Sequence, residues 1–224
     1  MKKIIITENQ FNKLLNEISL KNDGNNFNIV NKHLRNGYLV HGSTNVFDKF
    51  ETDKIQGGTR SEYGYGMYFS DEAYKALEYG TEIYLVKKDL FNFLDLDSMV
   101  FNPFEEVEKA KIEIEKAKEM QYNVRNNREY DYYQSIIDEL ETKYSFNPYE
   151  EKIIYDFTKY CQDNKLKNLE QIFKTVKCNL PSNYEKYISS ALLKVGYDGV
   201  KCCNQYVIFN FDLLNNNLIN YDIE

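Results

Sequence analysis

The chain has 224 residues, 42% of them apolar, and a formal charge of -7. That is enough apolar sequence for one large packed domain, or one domain with an insertion, and the acidic balance argues against broad binding to a phosphate backbone. No run of about 18 uncharged apolar residues occurs, so no membrane span is expected. The opening Met1-Lys-Lys-Ile-Ile-Ile-Thr7 carries too short an apolar run for an export signal, so a cytoplasmic setting is expected. The four cysteines, Cys161, Cys178, Cys202 and Cys203, show no CxxC or Cys/His spacing and read as reduced thiols. The adjacent pair Cys202 and Cys203 is expected on opposite faces of a strand. With His33 and His41 the only histidines, no metal site is expected.

In chain order, residues 1–22 form a first unit: a short strand over Ile4 to Ile6, then a helix capped by Thr7 with Gln10 completing a capping box. Its apolar stripe is Phe11, Leu14, Leu15 and Ile18. Lys21 to Asn28 reads as a polar linker around Gly24, and the main domain is expected over 28–224. Strands are expected over Gly37 to Ser43, Met67 to Ser70, Glu82 to Lys87 and Phe91 to Leu96, with a Gly-rich loop over 51–66. A helix follows the second strand, capped by Ser70 or Asp71, running through Ala73, Ala76, Leu77 and Tyr79 to Gly80.

The composition then changes. Residues 103–145 are dense in Lys and Glu and read as two long helices broken near Asn123 to Asn127. Two further helices fit 149–176, and another runs from Tyr184 to Val195, ended by Gly196. Val200 to Cys203 and Tyr206 to Phe211 read as a hairpin turning at Asn204. The organisation is therefore α+β: a split, β-rich domain with a helical insertion at about 103–180.

Two distant segments carry the candidate chemistry. One is Tyr38-Leu-Val-His-Gly-Ser43, followed by Gly64-Tyr-Gly-Met-Tyr-Phe-Ser70 and by Tyr79, eleven residues after Tyr68. The other is Asn204-Gln-Tyr-Val-Ile-Phe209. A polar residue closing a strand, a Gly-x-Gly-x-Tyr turn and paired tyrosines suit a flat, amide-bearing ring. In order and spacing these segments resemble the catalytic domain of ADP-ribosyltransferases of the diphtheria-toxin and poly(ADP-ribose) polymerase type, the His-Tyr-Glu group. Tyr197-Asp-Gly-Val200 is similar to the lead-in of bacterial and phage members, and the Asn, Lys, Ile and Tyr content fits AT-rich coding.

The resemblance implies a split antiparallel β-sheet core, NAD as substrate and no metal. It implies that His41 bonds the adenosine ribose, with Ser43 assisting, and that the Gly42 backbone clamps the nicotinamide amide. Tyr68 and Tyr79 would sandwich the ring, with Phe69 in the same pocket. Ala76 stands where some members place a serine, and Gln205 stands at the catalytic Glu. A carboxylate there orients the ribose 2′-hydroxyl and stabilises the oxocarbenium-like transition state, and Gln offers only the hydrogen bond. Gln205 is then a natural variant of a mono-ADP-ribosyltransferase, the mark of an inactive descendant, or a deliberate Glu-to-Gln change.

The implied acceptor is a macromolecule, protein rather than nucleic acid, and no membrane is involved. Two rival readings are a catalytically inactive NAD-binding or interaction protein, phage-encoded and using the helical insertion as its partner surface, and an NAD-depleting glycohydrolase of toxin type. Asp198, Asp212 and Glu62 read as turn or solvated acids, while Arg60 is a candidate for the pyrophosphate.

Overall fold

The computed structural model describes residues 24–51, 62–80, 82–163, 166–181 and 185–221, so the expected strand and helix of residues 4–20 lie outside it. The described chain is α+β, with seven mostly antiparallel strands and about eight helices. It divides into two compact units. The first comprises Met1–Lys49, Phe69–Leu90 and Leu213–Glu224; the second comprises Phe50–Tyr68 and Phe91–Asp212.

In the first unit, α1 (Gly24–Arg35) precedes β1 (Tyr38–Ser43). Gly24 to Asn28 is thus the first turn and more of a helix, where a linker was expected. The reason lies in Phe27, Val30 and Leu34, which recur at helical spacing and pack on an apolar cluster. Burial of that stripe outweighs the weak helix propensity of the surrounding asparagines. Strand β1 pairs over its whole length with β3 (Glu82–Lys87), from Tyr38↔Lys87 to Ser43↔Glu82. On its other side it meets β2 (Met67–Ser70) at Val40↔Ser70. Strand β7 (Ile219–Tyr221) pairs with β3.

Alternation sorts these strands into two faces. Val40, Ile83 and Leu85 face α1 and the short α2 (Ala73–Leu77), whose Ala73 and Ala76 close the cluster. His41 and Tyr84, directly paired, lie on the opposite face. Helix α2 ends at Leu77, so Tyr79 follows it. The residue at its N-cap is Glu72, with no side-chain cap, where Ser70 or Asp71 was expected. Ser70 is engaged instead as a turn acceptor: its hydroxyl takes a hydrogen bond from the Glu72 amide at 3.0 Å.

The second unit holds β4 (Phe93–Asp95), parallel to β5 (Gly199–Cys202), which forms a hairpin with β6 (Gln205–Ile208). Between β4 and β5 run α3 (Glu105–Asn123), α4 (Asn127–Lys143), α5 (Pro148–Gln162), α6 (Leu169–Cys178) and α7 (Glu185–Lys194). Their shared core includes Phe104, Ile153, Phe157, Phe173, Ile188 and Leu192, all excluded from solvent. The second strand of the hairpin stops at Ile208. The Phe209 and Asn210 amides both donate to the Asp198 carbonyl, and Phe211, the last residue of the expected strand, instead opens α8 (Phe211–Asn217).

One buried carboxylate fastens α5 to α7. Glu150 is only 1% exposed. It closes a capping box with Asn147, accepting from the Asn147 amide at 2.8 Å, and it also accepts from Ser190 Oγ and, at 2.7 Å, from Lys194 Nζ. Burial opposes its ionisation, but these donors, Lys194 foremost, hold the carboxyl below its ordinary range. A carboxyl lowered on folding stabilises the protein at pH values above its unfolded value, about 4.3, and that contribution fades as pH falls through the folded value. Replacing Glu150 by Gln is therefore expected to cost about 2 kcal/mol at neutral pH, with the gap to the parent narrowing below about pH 4. Urea midpoints across pH measure this, and a gap that does not vary with pH contradicts it.

Candidate functional site

The first unit assembles most of the expected pocket residues. His41 sits half-buried on β1 among three aromatic rings, Phe69 at 5.6 Å, Phe47 at 6.2 Å and Tyr84 at 6.2 Å. Tyr84 is fully buried and stacks on Phe47 at 4.0 Å with an 8° interplanar angle. Its hydroxyl accepts from the Phe47 amide at 2.7 Å and donates to the Asn45 carbonyl at 3.4 Å. The segment leaving β1 is thereby folded back over Tyr84, beside His41. Ser43 starts that turn, its hydroxyl accepting from the Asn45 amide at 3.0 Å. The pairing of His41 with Tyr84 is set by a strand register that joins positions 43 residues apart, and no local pattern announces it.

Beyond His41, the backbones of two segments touch. A methyl group added at Gly42 would overlap the Ala76 carbonyl and come within 3.2 Å of the Gly80 carbonyl oxygen. One added at Gly80 would overlap the Ser43 carbonyl. The two glycines thus let the end of β1 lie directly against the end of α2. The Ala76 carbonyl that abuts Gly42 also accepts from the Tyr79 amide at 3.1 Å. Tyr79 is fixed at its backbone next to Gly42 while its side chain stays 66% exposed. Ala76 buries its methyl group in the apolar cluster, and what it presents to β1 is its carbonyl.

The remaining expected residues belong to the second unit. Tyr68 is half-buried, and its hydroxyl accepts from the Tyr63 amide at 3.0 Å and donates to the Gly64 carbonyl at 3.3 Å. The Gly64-Tyr65-Gly66 turn is fastened on both sides. The Tyr65 amide donates to Ser189 Oγ at 3.2 Å, and Gly66 lies against Val207, Ile208 and Phe209 of the β6 segment. Gln205 is the first residue of β6, half-buried, and is paired with Cys202 across the hairpin. Asp198 braces the base of this hairpin. Its carboxylate accepts from the Asn92 amide at 2.9 Å and from Asn210 Nδ2 at 2.7 Å.

Glu62 pairs with Lys174 at 2.8 Å, and Lys174 in turn pairs with Glu170 and lies over the Tyr63 ring. The Tyr63 hydroxyl donates to Glu170 at 3.2 Å, and burial pushes that phenol well above its ordinary value. Lys174 holds the Glu170 carboxyl below its ordinary range. Arg60 lies outside the described residues.

Among the described residues, no helix is long and apolar enough to cross a membrane. Comparison with family models, with curated proteins and with solved structures finds no match for this chain.

The glycine contact makes a direct prediction. Gly42→Ala drives a methyl group into fixed backbone and should cost about 2–4 kcal/mol. Gly37→Ala, at a positive φ of 81° but with open space around it, should cost only about 1–2 kcal/mol. Chemical denaturation of the two variants compares them, and equal losses would refute the close approach at Gly42.

Proposed function

We propose that the chain is a mono-ADP-ribosyltransferase that transfers ADP-ribose from NAD to a protein acceptor and releases nicotinamide. The observation that carries the reading is the double contact of Gly42 with Ala76 and of Gly80 with Ser43, which places the Tyr79 backbone against the strand end that bears His41. Such an arrangement suits a planar amide. The backbone beside Gly42 offers hydrogen-bonding groups to the carboxamide, and the exposed Tyr79 ring offers a stacking face. His41, held by aromatic neighbours, offers a ring nitrogen to a ribose hydroxyl. The finer fold assignment, a split ADP-ribosyltransferase sheet, is part of this proposal and rests on the same residues.

In the proposed reaction the bond between the ribose C1′ and the nicotinamide nitrogen breaks, and its electron pair leaves with nicotinamide. An acceptor nucleophile bonds to C1′ and gives up its proton. Gln205 at the start of β6 orients the ribose through its amide oxygen without adding negative charge, so binding is retained better than rate. With water as acceptor the same chemistry is NAD hydrolysis. The helices between β4 and β5, which expose Met120, Tyr122 and Tyr132, are the proposed acceptor-facing surface.

The test is nicotinamide release from NAD by the protein and by Gln205→Glu. The variant is expected to be faster by on the order of 10²-fold, and labelled NAD is expected to mark a protein acceptor. Release by neither form sinks the catalytic reading.

A further inference from the structure

The hairpin that carries Gln205 turns at Cys203-Asn204, so the expected turn at Asn204 holds while its first strand ends one residue early. Cys202 ends β5, but Cys203 lies in the turn, with a positive φ of 54°, so the two cysteines do not occupy opposite faces of one strand. A left-handed conformation is uncommon for a residue with a side chain other than Asn or Asp. It is fixed here by Asp97, whose Oδ2 accepts from the Cys203 amide at 2.6 Å. Asp97 reaches the turn because β4 runs parallel to β5, Asp95 opposite Lys201, and the Leu96 amide donates to the Lys201 carbonyl at 2.8 Å.

The consequence is a cluster of three donors. Asp97 Oδ1 stands 3.6 Å from Cys202 Sγ and 3.8 Å from Cys203 Sγ, and all three ligand atoms lie within 4.8 Å of one another. A tetrahedral zinc ion, with Zn–S of about 2.3 Å and Zn–O of about 2.0–2.2 Å, needs sulfur and oxygen ligands about 3.5 Å apart. The two sulfur–oxygen pairs, at 3.6 and 3.8 Å, stand within a few tenths of an ångström of that spacing. Two thiolates and one carboxylate select a borderline-to-soft cation over magnesium or calcium, whose sites are built from oxygen alone. Cys202 is buried and Cys203 exposed, so the cluster is anchored in the core on one side and open on the other. The open side leaves a fourth position for water.

We propose that Asp97, Cys202 and Cys203 form a binding site for a thiophilic divalent cation, zinc in the first instance, that pins the β5–β6 turn to the loop after β4. Each bound ion displaces the thiol protons and adds its binding free energy to the folded state. The site stands on its own geometry and does not depend on the transferase reading, although the turn it pins is the one from which Gln205 departs.

The experiment is titration of the reduced full chain with cadmium, a spectroscopically visible stand-in for zinc, followed through its ultraviolet thiolate-to-metal band. One equivalent is expected to saturate the band, and zinc is expected to displace it. Cys203→Ser is expected to abolish the band, and Asp97→Asn, which keeps the turn's hydrogen-bond acceptor, to weaken binding about tenfold or more. Cys178→Ser, which alters an exposed thiol outside the cluster, is expected to leave it unchanged. Zinc should also raise the Tm of the parent chain but not that of Cys203→Ser. Absence of the band in the parent, or its persistence in Cys203→Ser, overturns the proposal, and Asp97→Asn decides the matter by itself should the serine variant not fold.

Discussion

Backbone-to-backbone contact between the end of β1 and the segment leaving α2 is the constraint on which the rest of the first unit depends. It requires two residues without Cβ, Gly42 and Gly80, each abutting a carbonyl of the opposite segment. Given that contact, α2 can lie close enough to the sheet for Ala73 and Ala76 to close the apolar cluster with Val40, Ile83 and Leu85. The same contact fixes the Tyr79 backbone while leaving its ring in solvent. His41 faces the other way, into Phe47, Phe69 and Tyr84, because adjacent residues of a strand point to opposite faces. One short strand thus packs a helix with one side and seats a histidine with the other, and the Gly42 backbone lies between the two.

The second unit is organised by carboxylates that each make more than one hydrogen bond, from the buried Glu150 through the half-buried Asp198 to the exposed Asp97. Glu150 joins two helices through Lys194, Ser190 and its own cap, so a charge that is costly to bury is fully coordinated. Asp198 performs the same task at the base of the β5–β6 hairpin, receiving hydrogen bonds from Asn92 and Asn210. Asp97 does so at the tip, through the Cys203 amide. The hairpin bearing Gln205 is therefore held at both ends by aspartates, a rigid mount for a residue proposed to orient a sugar hydroxyl.

Much of this was readable because local pattern and tertiary burial agree. Ile153, Ile154 and Phe157, or Leu169, Ile172, Phe173 and Val176, recur at helical spacing and are all buried. The runs Tyr38 to Ser43 and Glu82 to Lys87 are strong β-formers and are strands. The failures share a cause, which is that a non-local contact decides the outcome. Gly24 to Asn28 looks like a linker until the sheet under Phe27 is present. Cys203 looks like strand until Asp97 captures its amide. Phe211 looks like strand until Asp198 ends the ladder. For the candidate site, the position of His41 on its strand followed from sequence, and Gln205 opens β6 one residue before the expected strand, whereas the Tyr84 and Phe47 walls around His41 followed only from the β1–β3 register. Cys202 with Cys203 was visible as a pair, but its third donor lies 105 residues away from Cys202.

Calorimetric titration with NAD tests the central claim most directly, which is that the Gly42–Tyr79 junction forms a seat for the nicotinamide ring. The account predicts one site with Kd between about 1 μM and 1 mM, weakened on the order of tenfold in Tyr79→Ala by loss of ring stacking, with the fold of that variant unchanged because the side chain is exposed. No detectable heat of binding, or equal affinity in the parent and Tyr79→Ala, would contradict it.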